Sequence, residues 1–139
     1  MKSLNIHKSA NDTLFINADQ GRKYNCGKTT AIFKADNEET DSLYSVSEWW
    51  MEPDFEGVGK HQHETNEELF YVIEGTVSFF IGNQWLDAEQ GTFIRIPSKT
   101  IHDFANQTNE KVGLLNIFMP GGFEQKMPSI EQWFKNKSK

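Results

Sequence analysis

The chain breaks into short runs in which apolar and polar residues alternate, and Gly, Pro and Asn separate the runs. Alternation with a period of two marks a strand with one buried face. "TTAIFKA" at 29–35 and "SLYSVSEWWME" at 42–52 are the first clear examples, and Pro53 closes the second. From residue 68 onward the runs follow quickly: "ELFYVIEG", "TVSFFIG", "QWLDA", "GTFIRIP", "IHDFAN" and "KVGLLNIFMP". Residues 1–28 read as polar and irregular, with Leu14, Phe15 and Ile16 as one edge strand. Strands this short and closely spaced predict an all-β sandwich or barrel. No repeat or linker interrupts the series, so residues 1–139 are expected to form one domain.

One segment changes period. Ile130, Trp133 and Phe134 share a face at helical spacing, and Ser129 with Gln132 has the form of a capping pair. This predicts a short amphipathic helix beginning at Ser129, laid across the β structure as a packing element.

Composition sharpens the picture. Eleven Phe and four Trp in 139 residues suit strands around a wide apolar interior better than a helical bundle. The formal charge of −6 is spread along the chain, without the basic stripe a nucleic-acid binder needs. No apolar run reaches the length of a membrane span. The first residues lack the apolar core of a secretory signal, and Cys26 is the one cysteine, so the expectation is a cytoplasmic chain without disulfides. "CGKTT" ends like a phosphate-binding loop, but Arg22 stands where the partner Gly belongs and no Val- or Ile-rich strand leads in.

The histidines point to a specific chemistry. His61 and His63 flank a single residue, so on an extended backbone their rings point the same way. His102 begins a later β run, and Glu68 opens the strand that follows the His pair. Three imidazoles and one carboxylate make a ligand set for one divalent transition metal: Fe, Mn, Ni, Co or Zn. His7 lies in the polar N-terminal region and is given no role. If Glu68 faces inward, so do Phe70 and Val72, whereas Leu69, Tyr71 and Ile73 face outward; Phe104 accompanies His102 inside. The outward apolar set then needs cover from the N-terminal segment, another sheet or a second subunit.

The full spacing resembles the cupin superfamily. The first cupin motif, G-x5-H-x-H-x3,4-E-x6-G, is matched by His61, His63, Glu68 and Gly75, with Gly57 or Gly59 standing in for a leading Gly that would fall at Phe55. The second, G-x5-P-x-G-x2-H-x3-N, is matched by Gly91, Pro97, His102 and Asn106, with Lys99 in place of the middle Gly. Fifteen residues separate Gly75 from Gly91, a usual length between the two motifs, and together the motifs cover about 57–106. Glu67 competes with Glu68 for the acidic position; the six-residue step to Gly75 favours Glu68.

The resemblance implies a double-stranded β-helix, that is, a jelly-roll-like barrel with the short C-terminal helix added. It implies one mononuclear metal on His61, His63, Glu68 and His102, a small-molecule ligand or substrate, and a homodimer. "EELFYVIEG" and "MPGGFE" are similar to the small single-domain cupins grouped with quercetin dioxygenases. A metal-dependent dioxygenase is the activity so implied, with Glu68 doubling as a catalytic base of raised pKa. Other readings stay open: a non-catalytic, ligand-binding or sensory cupin, or a metal-dependent isomerase or lyase of a sugar or keto acid. A metal-free epimerase fits least, because all four ligand positions are filled.

Overall fold

The alternating runs pair into antiparallel ladders in the computed structural model, which describes residues 7–9 and 13–137. Among these, the strands are β1 (His7–Ser9), β2 (Thr13–Phe15), β3 (Arg22–Cys26), β4 (Thr29–Ala35), β5 (Ser45–Met51), β6 (Glu67–Glu74), β7 (Thr76–Ile81), β8 (Gln84–Glu89), β9 (Phe93–Ile96), β10 (His102–Ala105) and β11 (Val112–Met119). They form a six-stranded sheet in the order β3-β4-β5-β11-β6-β9, a three-stranded sheet β10-β7-β8, and the small pair β1-β2. The architecture is mostly β and fits the expected jelly-roll class.

Two inner faces meet across an aromatic core. On β4 and β5 every second residue is buried, from Ala31 and Phe33 to Trp49 and Met51. Phe70 of β6 meets Phe79 of β7 at 5.2 Å between ring centroids, and Trp49 meets Phe104 of β10 at 5.7 Å. On β6 the expected alternation is present: Glu68, Phe70 and Val72 are buried, while Leu69, Tyr71 and Ile73 lie on the other face.

The structure differs from the sequence reading in three places. Arg22–Cys26, within a stretch read as irregular, is a strand that hairpins into β4 through Gly27 at φ 67°. The "CGKTT" segment is that turn. Its Arg22 is buried by ion pairs rather than by apolar packing, with Glu124 at 2.6 Å and Glu39 at 2.9 Å. The second difference is the C-terminal helix, α2, which runs from Met127 to Lys137, so Ser129 lies inside it and is not its cap. A 3-10 turn at Phe123–Lys126 feeds the chain directly into α2, and Pro128 occupies the first turn, where a missing N–H costs nothing. A one-turn helix, α1 (Asn37–Thr40), also went unread. Ile130 and Phe134 pack on the core, and Trp133 is half exposed.

Candidate metal centre

The structure brings His61, His63, Glu68 and His102 together: one potential ligand atom from each lies within 4.8 Å of the others. His102 opens β10 and Glu68 is the second residue of β6, both turned inward and almost fully buried. His61 belongs to no ladder. It forms an isolated antiparallel bridge to His102, donating its N–H to the His102 carbonyl at 3.0 Å and accepting that of His102 at 2.8 Å. The His63 carbonyl accepts the Lys99 N–H at 2.7 Å. The rings of His61 and His63 still face the same region, with centroids 5.1 Å apart. Glu67 turns away and accepts a hydrogen bond from Arg95 Nε at 2.7 Å.

Backbone carbonyls fix two of the imidazoles. His61 Nδ1 donates to the Gly59 carbonyl at 2.6 Å, and His102 Nδ1 to that of Thr100 at 2.8 Å. A carbonyl only accepts, so Nδ1 carries the proton in both rings and a neutral ring presents Nε2 as a lone pair. This is the outer support by which metal-binding imidazoles are usually oriented. His63 Nε2 is buried and has no hydrogen bond; Glu68 Oε2 lies 3.4 Å away, off line. An orphaned buried polar atom costs about 1–3 kcal/mol. Coordination would satisfy it. Three imidazole nitrogens and one carboxylate oxygen therefore fit a divalent transition ion in donor chemistry and placement.

The charges respond to this crowding. Burial pushes the Glu68 carboxyl up, but contacts with His102 and His63 outweigh it and hold the pKa down at about 2. The shift is thus downward, opposite to the raised value expected for a base. Burial pulls His102 down, yet its hydrogen bond to Glu68 Oε2 at 2.6 Å carries it above the ordinary imidazole value. Burial lowers His61.

Supporting residues explain how a loop can deliver two ligands. Asp103 Oδ1 accepts the N–H groups of Val58 at 3.0 Å and Gly59 at 3.2 Å, tying the segment before His61 to the strand of His102. A Cβ at Gly57 would lie 2.6 Å from Asp103 Oδ2, so Gly57 answers the motif's need for a small residue there. Lys99 adopts φ 65°, the left-handed conformation of the Gly it replaces, and the turn shape survives. Asn116 of β11 donates to Glu68 Oε1 at 3.2 Å and so orients the carboxylate. The sequence reading missed Asp103 and Asn116. The available signal for Asn116 was one polar residue at an inward position of an otherwise apolar strand.

A cavity of about 390 Å³ opens from the ligands, walled by Trp49, Phe104 and Phe123 and by Ile130, Trp133 and Phe134 of α2. Its size and apolar walls suit a small molecule. The C-terminal helix, expected only to pack, also frames this entrance. No helix among the described residues is long and apolar enough to cross a membrane.

Known proteins match this picture. A family model described as a cupin domain matches residues 48–118, just over half of the chain. Over 64 residues the chain is 28% identical to quercetin 2,3-dioxygenase of Bacillus subtilis, covering 46% of this chain and 19% of that protein. Over 60 residues it is 34% identical to an uncharacterized protein of Methanocaldococcus jannaschii, covering 43% of this chain and 48% of the relative. The chain thus spans less than half the length of either curated relative. Among solved structures, KdgF from Halomonas sp. superposes with a TM-score of 0.67 at 15% identity, over 80% of this chain and 96% of that one. An RmlC-like cupin from Shewanella frigidimarina gives 0.67 at 16% identity, over 88% and 97%. A predicted oxalate decarboxylase from Thermotoga maritima gives 0.64 at 19%, over 68% and 82%. At these identities the likeness concerns the fold alone. Fold, motif geometry and the family match agree: the chain belongs to the cupin superfamily.

Proposed function

We propose that this chain is a single-domain, metal-dependent cupin enzyme acting on a small molecule, and that its reaction is a dioxygenation of the quercetinase type. The observation that carries the reading is the convergence of the four ligand atoms beside an apolar cavity that His61, His63 and Glu68 line, with His63 Nε2 left unsatisfied. A bound divalent ion would supply Lewis-acid polarisation and, with open positions, a common point for substrate and dioxygen. The protein's residues do the rest. Gly59 and Thr100 hold His61 and His102 in one tautomer, and Asp103 keeps the loop of His61 against β10. Trp49, Phe104 and Phe123 exclude water and offer flat faces to an aromatic or enolic substrate. Among the described residues Glu68 is the one carboxylate lining the cavity, ionised at neutral pH and oriented by Asn116. We assign it the acceptance of the substrate's hydroxyl proton. The match to quercetin 2,3-dioxygenase supports this choice among cupin chemistries, over a partial length.

Oxygen uptake tests the reading. Protein loaded separately with Fe(II), Mn(II) and Ni(II) should consume oxygen with a member of a panel of flavonols, catechols and diketones. Glu68→Gln should lower kcat by about 100-fold or more, the range of a general base, with a smaller change in substrate affinity. Ligand binding without oxygen uptake for all three metals would replace this reading with a binding module.

A further inference from the structure

We infer that the cavity selects a small apolar-bodied carboxylate, and that Lys126 is the residue that receives its acid group. The inference rests on the four-residue site being where the other end of the ligand is held.

The charges around the cavity are unbalanced. Glu68 is the one carboxylate that lines it, and that group is committed to His102 and Asn116. Two ammonium groups line the same space, from Lys60 and Lys126. Lys60 Nζ sits 4.1 Å from the centre of the Phe80 ring, so it is already engaged with an aromatic face. Lys126 is held more loosely, with Nζ 5.6 Å from the Phe123 ring centre and 5.8 Å from that of Phe118. No carboxylate lies within ion-pair reach of Lys126 among the described residues. In a chain of net charge −6, an unpaired cation at the mouth of an apolar cavity is a local reversal of sign.

Position makes the reversal useful. Phe118 and Phe123 meet edge to face at 5.0 Å, and His63 packs on Phe118 at 4.9 Å. Lys126 and His63 therefore stand on one aromatic wall, the lysine at the entrance and the imidazole inside. The 3-10 turn that ends at Lys126 is itself anchored, since Asp36 accepts the N–H groups of Gly122 at 2.6 Å and Glu124 at 2.7 Å. The backbone beneath Lys126 is thus fixed while its ammonium is free to reach a ligand. Other polar side chains at the cavity are spoken for: Gln62 donates to Glu64, and Trp49 Nε1 to Ser47. Neither cavity lysine has an ion pair among the described residues, and Lys126, the less tightly held against an aromatic face, is the one placed to give an incoming carboxylate a charge-assisted hydrogen bond, which is the strong kind. The flat walls would take an aromatic or branched aliphatic body.

Calorimetric titration tests this with benzoate, phenylacetate and phenylpyruvate, each beside its neutral amide. The protein is used both Zn(II)-loaded and metal-free, so that no turnover is needed. Wild type should bind at least one acid roughly 10-fold or more tighter than its amide, the low end for a hydrogen bond to a charged group. Lys126→Gln should reduce that preference to near parity, Lys126→Arg should keep most of it, and Lys111→Gln, remote from the cavity, should leave it unchanged. A preference that survives Lys126→Gln, or no binding of any of the acids by wild type, would overturn the assignment. Zinc content of each variant is measured in parallel. A wild type that takes no zinc but keeps a Lys126-dependent preference for acids would sink the metal reading and leave this one standing.

Discussion

Single residues carry opposing demands at the candidate metal centre. His63 is the clearest, because its Nε2 is buried without a hydrogen bond and would gain a partner through coordination. His63→Ala should reduce metal content after loading to less than a tenth of wild type, read by elemental analysis, while the β-sheet circular dichroism is kept. Retention of stoichiometric metal would remove His63 from the ligand set. Lys99 poses a different conflict. A β-carbon at φ 65° costs roughly 1–2 kcal/mol, yet the turn must keep that shape for Lys99 N–H to reach the His63 carbonyl. Glycine removes the clash but adds backbone freedom worth about 0.5–1 kcal/mol in the unfolded chain. Lys99→Gly should therefore be neutral or stabilising by up to about 1 kcal/mol, and Lys99→Val should be clearly destabilising, both by urea titration. Equal losses for the two would mean that the lysine side chain, not the backbone angle, matters there.

Elements were legible in the sequence where their physics is apolar alternation, and less so where burial is polar. β6 could be read down to the direction of each side chain, because Glu68, Phe70 and Val72 alternate with exposed or half-buried neighbours. β3 could not. Its inward residues are Arg22, Tyr24 and Cys26, and what buries the first two is Glu124, a hundred residues away. Asp103 was equally opaque, since its partners sit across a chain reversal from 58 to 103. The same network makes a prediction about α2. Arg22, Tyr24 and Glu124 join β3 to the turn that launches this helix. Glu124→Ala would strand a buried guanidinium with Glu39 alone and should cost about 3 kcal/mol. Tyr24 adds a pH signature. Burial, then its hydrogen bond to Glu124, raises its pKa well above the ordinary 10.0. The folded state therefore holds this proton more tightly than the unfolded chain. The stabilisation is complete below about pH 10 and is lost as pH climbs above it. Wild-type stability should hold up to about pH 10 and fall as pH rises from there toward 12 in chemical denaturation, and Tyr24→Phe should flatten that fall. An identical slope in both proteins would exclude Tyr24 as its source.

At the scale of the whole molecule, one face of the large sheet is left without cover by the described residues. Register places Phe93, Tyr71 and Leu115 in one row across β9, β6 and β11, and Leu69, Ile117 and Val46 in the next. Phe93, on the edge strand β9, is 61% exposed, and Tyr71 on the neighbouring β6 is 45% exposed, large values for aromatic residues. Trp50 and Glu48 of β5 continue the same side, tied to each other by a hydrogen bond of 3.0 Å. A contiguous apolar surface of this kind is usually an interface, and a two-fold partner presenting the same face would bury it symmetrically. The expected assembly is a homodimer through these rows, with the two cavities independent because their ligands lie on the inner face. Multi-angle light scattering across a dilution series should give twice the 16.0 kDa chain mass at micromolar concentration. Phe93→Glu with Tyr71→Glu should shift the protein to monomer with metal content unchanged, since neither side chain touches the site. A wild type that is monomeric at every concentration would rule out this interface. A dimer that withstands both substitutions would place the contact elsewhere.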